Sequence, residues 1–399
     1  MLLGAVLIIL QAPRCRDLPA TSWWNHGPLY QVGNLRAFTE AHDLKGLEQK
    51  VNALSRLKVQ GVVVGPIHVA PPDEAMSLRF EEVSPEAGNL EQFKGFVQAA
   101  HKKGISVVLD LTPNYLGSSG PWFSNISVTN VAERLKSALV FWLNQGVDGV
   151  QLSEVERVST VVPSLWADIR AIVQNTTEEV LIGVTDRSSA EDVSSLLSST
   201  GVDVLISRVL RSGDPDVSEL ARSVQRLYSS HNQTKLAWSL GGRTEGHLAS
   251  LVGPALVKLH QLLLLTLPGT PVFNYGDEIG LMDEDERSER LSCLSFFRAL
   301  SELRGKERSL LFGDFVLLSN SSSSLAYLRV WDQSERYLAA FNWAEEAALL
   351  QLTDAALPRR AAVVLSTNSS VLPADTSLDL TDLRLGPGQA ALLRFPYRG

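Results

Sequence analysis

Eight short apolar runs, each set behind a turn residue, recur with helix-spaced segments between them, and that alternation leaves few folds open. They are GPLYQVG (27–33), GVVVGPI (61–67), ISVVLDL (105–111), VDGVQL (147–152), EVLIGV (179–184), VDVLIS (202–207), KLAWSL (235–240) and GTPVFNY (269–275). In the intervening segments Leu44, Leu47, Val51, Leu54 and Leu57, or Phe93, Phe96, Val97 and Ala100, fall at the spacing that lines one face of a helix. Strand and helix in alternation require parallel pairing with right-handed crossovers. Eight such units over about 250 residues predict an α/β fold of the closed (β/α)8 TIM-barrel type rather than an open doubly wound sheet. A chain of 399 residues is too long for one small core. After Arg308 the texture changes: LAYLRVW, RYLAAFNW, AAVVLS and AALLRF are strands divided by polar turns with no helical period. They predict a small antiparallel β-sandwich domain.

Charge and cysteine usage narrow the function. A net charge of -8 and no Lys/Arg run exclude an electrostatic nucleic-acid binder, which needs a basic face for phosphates. Residues 2–10 (LLGAVLIIL) are uninterrupted apolar sequence followed at once by Pro13, Arg14, Cys15 and Arg16. At about 1.5 Å per residue this stretch rises only about half a bilayer core. It reads as the outer part of a transmembrane helix whose inner half lies upstream of Met1. The competing reading, a signal-peptide core, lacks a basic n-region and a small-x-small cleavage site. Acceptor sequences for N-linked sugar at Asn125, Asn175, Asn232, Asn320 and Asn368 fit passage through the secretory route. Only two cysteines, Cys15 and Cys293, are present, so burial rather than disulfides must hold the core. Cys293 lies among Leu291, Leu294, Phe296 and Phe297 on an expected helix, where a small apolar side chain is buried. Trp23 and Trp24 read equally as membrane-interface anchors and as packing under the barrel.

Three segments go beyond generic barrel features: VVLDLTPNY (107–115), GVDGVQLSE (146–154) and LPGTPVFNYGDEIGL (267–281). In this order and spacing they resemble the alpha-glucosidase branch of the alpha-amylase clan. Retaining glycosidases need two carboxyl groups about 5 Å apart, and in barrels such groups sit at the C-terminal strand ends. Measured against that family's pattern, the fourth run reads Gly149-Val150-Gln151-Leu152-Ser153, with Ser153 at the nucleophile position and Gln151 at that of its orienting arginine. The fifth offers Val184 where the general acid is expected. The seventh replaces the sugar-steadying signature within Trp238-Ser239-Leu240, Leu240 being its degenerate position. On the third, Asp110 and Asn114 are kept and Tyr115 replaces a histidine. The resemblance therefore implies that no catalytic carboxylate remains. Glu154, one residue past the nucleophile position, is expected to face away in an extended strand. Asp277 and Glu278 are read as structural. Only residues 116–130 separate the third run from the next helix, too few for the domain that sugar-cleaving members insert there.

ILQAPRCRDLPA before Trp23-Trp24, then GPLYQVGNL, DLTPNY, FWLNQGVDGVQ, LPGTPVFNYGDEIGL, KERSLLFGDF and LLRFPY, is similar over nearly the whole chain to the 4F2 heavy-chain family, the glycoprotein subunits of heteromeric amino-acid transporters. That resemblance implies a plasma-membrane, single-pass type II protein with a catalytically silent extracellular domain. It implies a multi-pass amino-acid transporter light chain as partner, joined by an interchain disulfide from Cys15, with membrane lipid and adhesion receptors as further contacts. It implies no cofactor and no metal. The expected layout is 1–11 for the outer part of a transmembrane helix, 12–27 for a juxtamembrane neck, 28–305 for the barrel and 306–399 for the β domain. The family's loop after the eighth strand is shortened to the acidic run 283–289. Two other readings stay open: a residual α-glucosidase or transglycosylase using Asp186 or Glu278, and a sugar- or amino-acid-binding module.

Overall fold

The computed structural model describes residues 15–211, 216–281 and 290–398. The expected membrane segment at 1–11 and the acidic run 283–289 lie outside the described residues. Among the described residues no helix is long and apolar enough to cross a membrane.

Eight strands form the closed barrel: β1 (Leu29–Val32), β2 (Gly61–Val64), β3 (Ser106–Asp110), β4 (Gly149–Ser153), β5 (Val180–Val184), β6 (Val204–Ile206), β7 (Leu236–Trp238) and β8 (Thr270–Asn274). Each pairs in parallel with its neighbours, and β8 returns to β1 with Leu29 opposite Val272. Alternate residues point inward, so Leu29, Val63, Val108, Val180, Ile182, Val204, Ile206, Ala237 and Val272 fill the barrel as a small core of their own. The intervening residues of the same strands, among them Tyr30, Val62, Leu109 and Leu181, face the helices in a larger core. The expected helix faces are the buried ones. In α1 (Leu90–Lys102) they are Phe93, Phe96, Val97 and Ala100, behind a capping box of Asn89 and Gln92.

Residues 23–25, within the expected neck, close the barrel floor. Trp24 is 7% exposed and joins the interior cluster, and its carbonyl accepts from Thr270 Oγ1 at 2.9 Å. Trp23 donates to the Glu178 carbonyl at 2.8 Å and lies over Gly61, where a Cβ would come within 2.7 Å of its ring. Of the two readings of this pair, the structure selects packing under the barrel.

The β domain is one six-stranded antiparallel sheet of β9 (Asp314–Asn320), β10 (Ser324–Val330), β11 (Arg336–Asn342), β13 (Arg360–Ser366), β14 (Ser377–Asp379) and β16 (Ala390–Phe395). Its order is β9-β10-β11-β16-β13-β14, and a separate pair, β12 (Ala348–Leu350) with β15 (Leu383–Leu385), forms the second layer. Successive side chains divide between the layers. Leu325, Tyr327, Ala339, Phe341 and Leu392 pack into the barrel's outer core, while Ala326, Leu328, Leu338, Ala340 and Leu393 meet Leu350, Leu383 and Leu385. The expected barrel with a β-sandwich-like domain behind it is the fold.

Between the two units runs α4 (Val257–Thr266), which follows α2 (Asn125–Asn144) and α3 (Val217–Ser230) in the chain and precedes α5 (Arg290–Lys306). It is buried almost all round because it has the barrel on one side and the sheet on the other. Two buried arginines, each 1% exposed, fasten its C-terminal end. Arg304 donates to the carbonyls of Leu265 at 3.0 Å and Leu310 at 3.1 Å, and to that of Gly269 at 2.5 Å. Arg329 donates to the carbonyls of Thr266 at 2.7 Å and Gly313 at 3.1 Å and to Gln233 Oε1 at 3.1 Å. Cations against the orphan carbonyls of a helix C-terminus complement its dipole.

Candidate functional site

The C-terminal strand ends open into a cavity of about 290 Å³ lined by residues from most of the barrel strands and their following loops. Strand alternation decides who reaches it. Gly149, Gln151 and Ser153 alternate on β4, and Gln151 and Ser153 line the cavity with Asp110 of β3 and Val184 of β5. Ser239 lines it after β7, whereas Leu240, one residue on, is buried in the outer core.

A chain of bonds lines the base of this cavity. Gln31 Nε2 donates to Gln151 Oε1 at 3.2 Å, and Gln151 Nε2 donates to Asp110 Oδ2 at 2.8 Å. Asp110 Oδ1 accepts the Thr112 amide at 2.8 Å. Thr112 Oγ1 donates to Ser153 Oγ at 3.2 Å and accepts the Ser153 amide at 3.1 Å, and Trp122 Nε1 holds the Ser153 carbonyl at 2.8 Å. Both oxygens of Asp110 are thus committed to neighbours, and the Ser153 hydroxyl accepts from Thr112 at the end of this chain of bonds.

Glu154 lines the cavity although a one-residue offset would turn it outward in an extended strand. The reason is local: its φ is 48°, so the chain leaves the strand in a left-handed turn at that residue. Burial raises its carboxyl above the usual range against the opposing charge of Arg157, with Glu156 and Asp186 adding to the rise. Arg157 Nη1 lies 3.8 Å away.

Asp186 is exposed and tied to Arg208, whose Nη2 lies 3.0 Å from its Oδ1 and 2.9 Å from Glu245 Oε1. Arg211 Nη1 reaches the same Glu245 oxygen at 3.0 Å. Burial acts to raise the Glu245 carboxyl, but Arg211 and Arg208, with a bond from Thr244, outweigh it and hold it below the usual range. Arg243 crosses the mouth, donating to the Tyr115 carbonyl at 3.0 Å with its guanidinium 5.7 Å from the Tyr115 ring. Arg208, Arg211, Arg243 and Glu245 were not among the residues singled out from sequence. Their signal is faint: an Arg-x-x-Arg after the sixth run and a charged Gly-Gly-Arg-Thr-Glu-Gly turn after the seventh.

Asn114 lines the cavity and knits the connection from β3 to α2, which is shorter than the expected 116–130 because the helix already opens at Asn125. It donates to Asp73 Oδ1 at 2.9 Å and to the Gly120 carbonyl at 2.9 Å, while Asp73 also gathers the amides and hydroxyls of Ser118 and Ser119. Those bonds from Ser119 and Asn114 hold the Asp73 carboxyl well below the usual range. Asp277 and Glu278 lie outside the cavity. Asp277 accepts the amides of Leu248 at 2.8 Å and Asn274 at 2.9 Å. Glu278 accepts from the Tyr30 hydroxyl at 3.0 Å, and burial pushes its carboxyl up to about 7.

The five sugar-acceptor asparagines are all exposed. Asn125 opens α2 and Asn320 ends β9 beside Ser218, both at the mouth end, whereas Asn175 and Asn232 sit in the turns that lead into β5 and β7 at the floor. Asn368 borders a second cavity between barrel and β domain. Cys15 is exposed and Cys293 is 3% exposed on α5, and the two are not joined to each other.

Relatives assign this architecture. Residues 1–30 match the family Solute carrier family 3 member 2 N-terminus, and residues 36–130 match Alpha amylase, catalytic domain. The amino acid transporter heavy chain SLC3A2 of Oryctolagus cuniculus is 41% identical over 437 residues, covering 100% of this chain and 82% of the relative. The chain belongs to the amino acid transporter heavy chains of the SLC3A2 type. The SLC3A1 heavy chain of Rattus norvegicus is more distant, at 21% identity over 97% of this chain and 80% of its own length. In shape this heavy chain is similar to the trehalulose synthase MutB of Pseudomonas mesoacidophila MX-45, with a TM-score of 0.75 over 94% of this chain and 100% of that one, at 16% identity. A debranching enzyme from Nostoc punctiforme gives 0.75 over 95% of this chain and 100% of that one, at 19% identity. Those two likenesses concern the fold alone.

Proposed function

We propose that this heavy chain is a non-enzymatic glycoprotein subunit. It associates with a multi-pass amino-acid transporter light chain through a disulfide from Cys15, stabilises it and carries it to the plasma membrane as a single-pass type II protein. In this reading residues 1–11 belong to the membrane segment, 12–27 to the neck, 28–305 to the barrel and 306–399 to the β domain. Sugars at Asn125, Asn175, Asn232, Asn320 and Asn368 clothe the extracellular part, and no metal or cofactor takes part.

The observation that carries the non-enzymatic reading is the state of the mouth. At the position that the resemblance gives the nucleophile stands a serine hydroxyl bonded to Thr112, at that of the acid stands Val184, and the cavity carboxylates Asp110, Asp186 and Glu245 are bonded to donors or cations. Hydrolysis of a glycosidic bond needs one carboxylate free to attack and another free to give a proton. Glu278, the remaining candidate acid, is enclosed beneath the mouth with Tyr30. Purified protein should therefore release no more chromophore from an aryl α-glucoside than a blank, and turnover abolished by changing Asp186 or Glu278 would restore the glucosidase reading. Co-expression with a light chain should give one large band on a non-reducing gel that splits on reduction, and Cys15→Ser should remove it. The open, polar cavity also favours, as a second reading, a binding site for a sugar or an amino acid; a ligand-dependent rise in melting temperature would support it.

A further inference from the structure

The neck does not hang freely from the folded body. At its outer end Arg16 makes three contacts with the floor-side edge of the β domain. Its backbone amide donates to Asp332 Oδ2 at 3.1 Å, its Nη1 donates to Asp314 Oδ2 at 2.9 Å, and its guanidinium carbon lies 4.5 Å from the centre of the Trp331 ring. Trp331 is itself buried, edge-on to Phe312 with ring centres 4.7 Å apart. At its inner end Trp23 and Asn25 are bonded to the carbonyls of Glu178 and Thr234 beneath the barrel. The segment is thus a strap pinned at two places, and Cys15 is the residue next to the outer pin.

We propose that Arg16 is the positioning residue for the interchain bond: seated on Asp314, Asp332 and Trp331, it holds the Cys15 thiol at the floor-side corner of the β domain, where the partner's cysteine must come. The inference rests on the reading of Cys15 as the bridging cysteine. Without the outer pin, the residues between Trp23 and Cys15 could sweep Cys15 through a radius of about 25 Å. With it, the thiol stays within one residue of a fixed point, which raises its effective concentration toward a partner cysteine docked at the same corner. An exposed ion pair alone holds little, but here one residue supplies an ion pair, a main-chain bond and a cation–π contact together. The bond itself forms by thiol–disulfide exchange. The Cys15 thiolate attacks an oxidant disulfide to give a mixed disulfide, and the partner's thiolate displaces the oxidant. In all, the two thiols give up two electrons and two protons, and the oxidant leaves as a dithiol.

Two measurements on the full chain test this. A thiol-directed nitroxide attached to Cys15 reports the pin without any partner, since Cys293 is buried and a labelled Cys15→Ser chain supplies the background. The wild-type spectrum should be that of a restricted label. Arg16→Ala, which keeps only the main-chain bond, should shift the spectrum toward rapid motion, and Arg16→Lys, which can keep both the ion pair and the cation–π contact, should hold most of the restriction. Identical spectra for wild type and Arg16→Ala would overturn the proposal. In cells making a light chain, Arg16→Ala should slow appearance of the covalent heterodimer about fivefold, the combined reach of contacts of this kind. If Cys15→Ser abolishes the covalent band while Arg16→Ala bridges at the wild-type rate, the bridge stands and the positioning role falls. If Cys15→Ser keeps the band, the bridge reading itself falls, and the positioning role with it.

Discussion

Glu278 holds its carboxyl against the Tyr30 hydroxyl inside the outer core, with Asp277 and Arg298 as its charged neighbours. Its folded pKa of about 7 lies above the ordinary 4.5, so between those values the native chain keeps a proton that the unfolded chain releases. The stability this group contributes is present in full below pH 4.5 and is lost as the pH rises through 7, about 3 kcal/mol in all. His68 and His260 act in the opposite sense: burial lowers both to about 4, so their contribution falls away as the pH drops from 6.5 toward 4. Glu278→Gln should therefore gain stability relative to wild type by up to about 3 kcal/mol between pH 5 and pH 8 in denaturant melts. A constant difference across that range would count against the buried acid. Ser153→Asp should leave the protein without α-glucosidase turnover in the aryl-glucoside assay. The new carboxylate would meet Thr112 and lie near Asp110 at the base of the cavity, and the neighbouring Val184 has no proton to give.

At the scale of elements, the join between barrel and β domain depends on α4 and on the two arginines at its C-terminal end. Arg329→Met keeps the volume but strips the donors from the carbonyls of Thr266 and Gly313 and from Gln233. Buried acceptors left without partners cost about 1–3 kcal/mol each, so a loss of about 3 kcal/mol or more in denaturant melts is expected. The same element logic applies on β4, where Gly149 lies so close to β5 that a Cβ would come within 2.4 Å of the Val180 carbonyl oxygen. Gly149→Ala should force the strands that carry Gln151 and Ser153 apart and lower stability by about 1–3 kcal/mol.

Across the whole molecule, residues 23–25 are a structural part of the barrel. Trp24 stoppers the floor while the strand ends at the other side frame the cavity, so the two ends of the barrel have separate tasks. Trp24→Ala should open a void against Leu29, Val63 and Val272 and cost about 3–5 kcal/mol, read as a lower denaturant midpoint. A floor already closed by other residues would show a loss below about 1 kcal/mol instead.

The sequence alone determined the architecture, because hydrophobic period is a local property: period two within the runs, helical spacing between them, and a change of texture after Arg308. The resemblance to the glucosidase branch singled out Gln151, Ser153, Val184 and Leu240; the first three line the mouth because strand alternation turns them inward, whereas Leu240 is buried in the outer core. What only the tertiary structure decided were the partners. The left-handed backbone at Glu154 turned it toward the cavity, Arg208 and Arg211 converged on Glu245 from a separate loop, and Arg16 found acids about 300 residues away in the chain. Each of these depends on one backbone angle or on contacts between segments far apart in sequence, and no local spacing records either.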